Sequence, residues 1–226
     1  MKKIILLFSI VVLLILAGLY AKKKYYDPQI KLIQARKQVN DLVEKNDIRD
    51  GDIIFQISNS KQSKAIQLAT HSKYSHCGII FKDSSGFIVY EAVQPVKQTP
   101  LDKWIARGQD GIYVIKRLKN ADQVLTADMI IKMRSICSGF AGKDYDIYFN
   151  WSDDKIYCSE LIWKVYKQAT GMEIGKLQKL KEFDLTNDEV KQQLKERYGN
   201  NIPLEEPVIS PENIFECDLL ETVKSN

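Results

Sequence analysis

Tyr157-Cys158-Ser159-Glu160-Leu161 is the stretch on which the reading of this chain turns. It stands where a polar loop gives way to an apolar run, and Leu161, Ile162, Val165 and Tyr166 recur at helical spacing behind it. Asp153 or Asp154, just upstream, is the acidic signal expected at a helix start. Cys158 then falls in the first helical turn. Unpaired backbone N–H groups and the positive end of the helix dipole there favour a thiolate, the nucleophilic form of cysteine. Such a cysteine needs a base, and the chain holds only two histidines.

Working backward, Tyr74-Ser75-His76-Cys77-Gly78-Ile79-Ile80-Phe81 and Phe87-Ile88-Val89-Tyr90-Glu91-Ala92-Val93 flank a short polar loop ending in Gly86. This is a β-hairpin pattern. An even loop makes paired positions sum to an odd number, so His76 faces position 89, 91 or 93. Glu91 shares its face in each of these registers, and Gly78 leaves room beside it. A carboxylate there would fix the imidazole tautomer and stabilise its charged form, completing a nucleophile, base and orienter. Spacing alone equally allows a half-buried strand histidine and a solvated strand end. His71, between Thr70 and Ser72, reads as a surface residue.

The rest of the chain mixes elements without regular β-α-β alternation, which indicates an α+β fold. An amphipathic helix is expected over 27–44 and strands at 53–57 and 112–115, with Lys116-Arg117 at the end of the latter. Short helical pieces fall near Ala65–Ala69 and Trp104-Ile105. A helix is expected over 126–140, and 144–149 reads as an aromatic loop or short strand. After Gly171 the chain turns polar. Thr186-Asn187-Asp188-Glu189 opens a helix to Arg197, and Ser210 caps a last helical turn.

With 226 residues, 45% hydrophobic and 27% charged, a single domain over 25–226 is expected behind a distinct N-terminal segment. The formal charge of +4 is uneven. Lys2, Lys3, Lys22, Lys23 and Lys24 lie in an acid-free segment, 1–24; without those five of the 33 basic residues, 28 face 29 acidic ones. A nucleic-acid partner is therefore not expected. Ile4–Ala21 is a nearly unbroken apolar stretch between lysines, read as a membrane anchor that exports the domain, with cleavage and secretion as the alternative. Cys77, Cys137, Cys158 and Cys217 leave two disulfides possible for an exported domain, and no metal-ligand spacing stands out.

Three blocks, Gly51-Asp52-Ile53-Ile54-Phe55, Tyr74-Ser75-His76-Cys77-Gly78-Ile79 and Tyr157-Cys158-Ser159-Glu160-Leu161, resemble the circularly permuted papain-like cysteine hydrolases. The match is to the YiiX/YaeF-type branch of the NlpC superfamily. The resemblance implies a small antiparallel β-barrel or curved sheet packed on the cysteine helix. It also implies Cys158 as nucleophile, His76 as base, Glu91 as the third member and Tyr157 lining the site. The activity implied is cysteine-dependent hydrolysis of amide or ester bonds through an acyl-thioester. The implied substrate is a cell-wall peptide or an N-acyl or lipid-like molecule at the envelope, and no cofactor or metal is required. A lipid acyltransferase and a catalytically silent binding domain are the competing readings. The full Cys158–His76–Glu91 set speaks against the last. Cys77, where the family often carries an aliphatic residue, is expected to pack away from His76.

Overall fold

The computed structural model describes residues 2–226, without the side chains of residues 2–10 and Lys61. The chain runs α1 (Lys2–Ala21), a π-helical link (Lys22–Tyr26), α2 (Asp27–Glu44), β1 (Ile53–Gln56), α3 (Lys61–Thr70), β2 (His76–Asp83) and β3 (Gly86–Glu91). It continues through β4 (Lys97–Pro100), α4 (Leu101–Arg107), β5 (Tyr113–Leu118), α5 (Ala121–Val124), α6 (Ala127–Phe140) and α7 (Cys158–Thr170). Then follow β6 (Gln178–Lys179), α8 (Asp188–Tyr198), β7 (Pro207–Val208), α9 (Pro211–Phe215) and β8 (Leu220–Ser225). The expected anchor falls partly on residues 1–10, whose side chains lie outside the described ones. Among the described residues, no helix is long and apolar enough to cross a membrane.

Six antiparallel strands form one sheet in the order β4-β3-β2-β1-β5-β8, and β6 and β7 make a separate small ribbon. Period-two alternation divides the buried residues between two faces. Ile53, Phe55, Cys77, Ile79, Phe81 and Val114 join α6 and α7 in the larger core. Ile54, Ile80, Val89, Tyr113 and Ile115 pack with Leu42 of α2 and Trp104 of α4 in the smaller one. The fold is α+β, an open sheet covered by helices on both faces.

The two-residue loop Ser84-Ser85 sets the β2–β3 register, pairing Asp83 with Gly86 and Ile79 with Tyr90. Extending that register one residue pairs Gly78 with Glu91, which places His76 and Glu91 on one face. β5 extends through Lys116 and Arg117 to Leu118 instead of closing there. Arg117 reaches the buried Asp52 carboxylate at 2.7 Å, and β8 pairs along β5's outer edge. Thr126 caps α6 by accepting the Met129 N–H at 3.3 Å.

The start of α7 differs from the sequence expectation. Asp153 is not the cap; it pairs with Lys164 at 2.7 Å. Tyr157 is the N-cap residue, and Glu160 reaches back to accept its backbone N–H at 3.3 Å. The carboxylate three residues into the helix does the work expected of an aspartate before it. Among the described residues, none of the four cysteines is in a disulfide.

Candidate active site

Cys158 is the first residue of α7 and is 2% exposed. α7 packs against β2, and the Cys158 sulfur interacts with both His76 and Cys77, neighbours that point to opposite faces of that strand. His76 opens β2, and its Nε2 lies 2.6 Å from Glu91 Oε2 at the end of β3. The structure therefore brings Cys158, His76 and Glu91 into one buried cluster.

Glu91 is fully buried and saturated with donors. Besides His76, the Trp104 indole N–H at 3.0 Å and the Arg107 guanidinium at 2.5 Å donate to Oε2, and the Thr99 hydroxyl donates to Oε1 at 2.6 Å. Burial alone would raise its pKa; the His76 and Arg107 bonds override this and hold the carboxyl down at about 2. Trp104 also stacks on the His76 ring, with centroids 5.9 Å apart and planes 25° apart. The ring is thus fixed in plane, with Nε2 turned to Glu91. Burial pulls the imidazole down, but the Cys158 sulfur and the Glu91 carboxylate more than reverse this and lift it to about 9.

Cys158 shifts the other way. The Cys77 thiol beside it lowers its pKa most; burial opposes, and His76 and the Cys77 backbone N–H add to the lowering. It lies well below the ordinary thiol value, whereas burial and the Cys158 sulfur push Cys77 well above it. The shifts of Cys158 and His76 run in opposite directions, and both favour a thiolate beside an imidazolium. Strand parity does turn Cys77 away from His76, as expected. Packing is not all it does, however, because α7 begins on the face to which Cys77 points.

Sequence reasoning missed several residues here. Tyr145 precedes the cysteine helix in a loop folded around Asp146, which accepts the backbone N–H groups of Tyr148 and Asn150 at 2.8 and 2.9 Å. The Tyr145 hydroxyl accepts from Gln62 of α3 at 3.0 Å, which leaves its own proton free to donate. Trp104 and Arg107 lie three apart on α4, a spacing that signals a shared face. What that face met was not visible before β3 and α4 were placed. His71 is exposed and pairs with Asp184 at 3.2 Å, away from the cluster.

Two cavities flank the cluster. On the Cys158 side, a narrow one of about 90 Å³ is lined mainly by apolar groups, including Ile66, Phe149, Tyr157, Leu180, Leu194 and Ile209. Tyr157 packs edge-on to Phe149 with centroids 5.1 Å apart, and its hydroxyl accepts the Ile209 N–H at 3.1 Å. On the His76 side lies a wider cleft of about 530 Å³ with a mixed lining, in which Ser58, Gln94 and Asp144 alternate with Ala92, Val93 and Ile147. Tyr145, Gln62 and Ile66 border both.

Comparison with known proteins agrees with the fold and with the family resemblance. The family described as permuted papain-like amidase enzymes, YaeF/YiiX, C92 family, matches residues 47–224. The uncharacterized protein YiiX of Escherichia coli K12 is 53% identical over 173 residues, covering 76% of this chain and 84% of that protein. A crystal structure described as metalloprotein yiiX from Escherichia coli O157:H7 superposes with a TM-score of 0.75 at 53% identity, covering 79% of this chain and 97% of that one. Among the described residues here, no three His, Cys, Asp or Glu side chains are grouped to hold a metal ion.

Proposed function

This chain belongs to the permuted papain-like amidases of the YaeF/YiiX type, and on that premise we propose that it is a cysteine hydrolase of N-acyl or lipid-like substrates acting at the cell envelope. The observation that carries the substrate class is the apolar cavity opening on Cys158. An acyl group bonded to this sulfur extends into a slot with few polar partners, so an aliphatic chain fits there and a cell-wall peptide does not.

The Cys158 thiolate attacks the substrate carbonyl carbon, forming the C–S bond. Negative charge collects on the carbonyl oxygen, where the free N–H groups of the first turn of α7 and the Tyr145 hydroxyl supply donors. Collapse breaks the C–N bond, and the His76 imidazolium gives its proton to the departing amine. Neutral His76 then takes a proton from water as that water attacks the thioester. The acid leaves, and thiolate and imidazolium are restored. Glu91 keeps the ring aligned throughout and remains ionised. The lysine-flanked apolar stretch Ile4–Ala21 supports action at a membrane.

Hydrolysis of p-nitrophenyl decanoate and p-nitrophenyl acetate by the membrane fraction of expressing cells tests this reading. A higher kcat/KM for decanoate, abolished in Cys158→Ala and lowered at least ~100-fold in His76→Ala, is expected. Equal turnover of both esters, activity that survives Cys158→Ala, or activity found only in the soluble fraction argues against it.

A further inference from the structure

Tyr157 holds the N-cap position of α7, where a serine or aspartate would ordinarily give the helix a side-chain oxygen. Its side chain is committed elsewhere, walling the apolar cavity and accepting the Ile209 N–H at 3.1 Å. The oxygen comes instead from Glu160, which is fully buried and accepts the Tyr157 N–H on Oε2 at 3.3 Å. A carboxylate so buried needs a cation. Lys164, one turn on and 7% exposed, sets its ammonium 2.8 Å from Glu160 Oε1.

The same ammonium reaches across to the loop 144–156. It donates to the Ser152 carbonyl at 2.6 Å and to Asp153 Oδ1 at 2.7 Å, and it lies over the Trp151 ring, 5.0 Å from the centroid. Backbone bonds close the base of that loop around Tyr145. The Ile156 N–H donates to the Asp144 carbonyl at 3.1 Å, and the Asp146 N–H donates to the Ile156 carbonyl at 3.2 Å. Resting on the hydrolase reading above, we infer that Glu160 and Lys164 are positioning residues: their ion pair fastens the 144–156 loop to α7 and holds the Tyr145 hydroxyl and the free N–H groups of the helix's first turn around one carbonyl oxygen. Neither side chain lines the cavity beside Cys158 or the cleft beside His76, so both act through other groups.

For stability alone, an apolar pair of the same size would serve this buried position as well. It would hold neither the Tyr157 N–H nor the Ser152 carbonyl in a set direction. Burial raises the Glu160 carboxyl to about 7; Lys164 and the Tyr157 N–H oppose this, and Asp146 in the loop adds to it. Asp153 faces the same ammonium from the loop. The pair is therefore intact above about pH 7 and comes apart below it, as Glu160 gains a proton.

Turnover of p-nitrophenyl decanoate by the full chain in detergent, followed over about pH 5–9, tests the assignment. Wild-type kcat should fall as pH drops through about 7. Glu160→Gln, which has no proton to gain, should run flat there at a kcat at least about tenfold lower. Lys164→Met should lower kcat by a similar factor with KM within about twofold, and Lys164→Arg should restore most of it. The double variant Glu160→Gln/Lys164→Met removes both charges together, so its Tm should stay near that of the wild type while kcat remains low. A limb near pH 7 that persists in Glu160→Gln, full kcat in Lys164→Met, or a double variant whose Tm collapses with its activity overturns the assignment. Failure of the wild-type chain to cleave the ester at any pH is a different outcome, and it overturns the hydrolase reading on which this rests.

Discussion

At the scale of single residues, the site is governed by how one buried carboxylate shares its charge. Glu91 faces His76 and Arg107 on the same oxygen, so the guanidinium takes part of the field that would otherwise act on the imidazole. The thiolate–imidazolium pair exists above the lowered pKa of Cys158 and below the raised one of His76. Activity should therefore fall as pH rises through about 9. Arg107→Ala leaves the full carboxylate charge on His76, so the alkaline limb of kcat/KM should move up by roughly half a unit, with Arg107→Lys restoring much of the original profile. A lower rate with an unmoved limb would mean that Arg107 only packs. The candidate residues were legible because cysteine at a helix start and histidine on a hairpin strand are local signals. The donors to Glu91 were not, since Thr99, Trp104 and Arg107 meet it only through tertiary packing.

At the scale of elements, the β2–β3 hairpin fixes the distance between base and orienter. Gly78 lies between them on the same face, and a Cβ there would meet Val89 Cγ1 at 2.4 Å and the Tyr90 carbonyl oxygen at 2.9 Å. The glycine does less to leave open space than to let β3 close against β2. Gly78→Ala should destabilise the fold by about 1–3 kcal/mol through overpacking, and thermal unfolding should show a lowered Tm. An unchanged Tm would mean that the hairpin yields without cost. The hairpin could be read from sequence because two apolar, strand-forming runs flank a short polar loop that ends in glycine. β8 could not: Leu220-Glu221-Thr222-Val223-Lys224-Ser225 is a mostly polar edge strand, and its pairing with β5 spans about half the chain.

At the scale of the whole molecule, the fold joins a small apolar cavity and a wider cleft of mixed lining at one sulfur and one imidazole. The segment after Gly171 reads as polar, yet Leu180, Phe183, Leu185, Val190, Leu194, Val208 and Ile209 from it enclose the cavity beside Cys158. Those apolar residues are scattered thinly along a hydrophilic stretch and converge only when α8 lies against α3. The class of chemistry was therefore legible in three short blocks, while the apolar cavity beside Cys158 was not. The central claim is that Cys158 carries the acyl group. Intact-mass analysis of the chain quenched in acid during turnover of p-nitrophenyl decanoate tests it directly. The account predicts one added decanoyl mass, localised by peptide mapping to Cys158, released by hydroxylamine and absent from Cys158→Ala. Steady hydrolysis with no such adduct, together with full activity in Cys158→Ala, would contradict it.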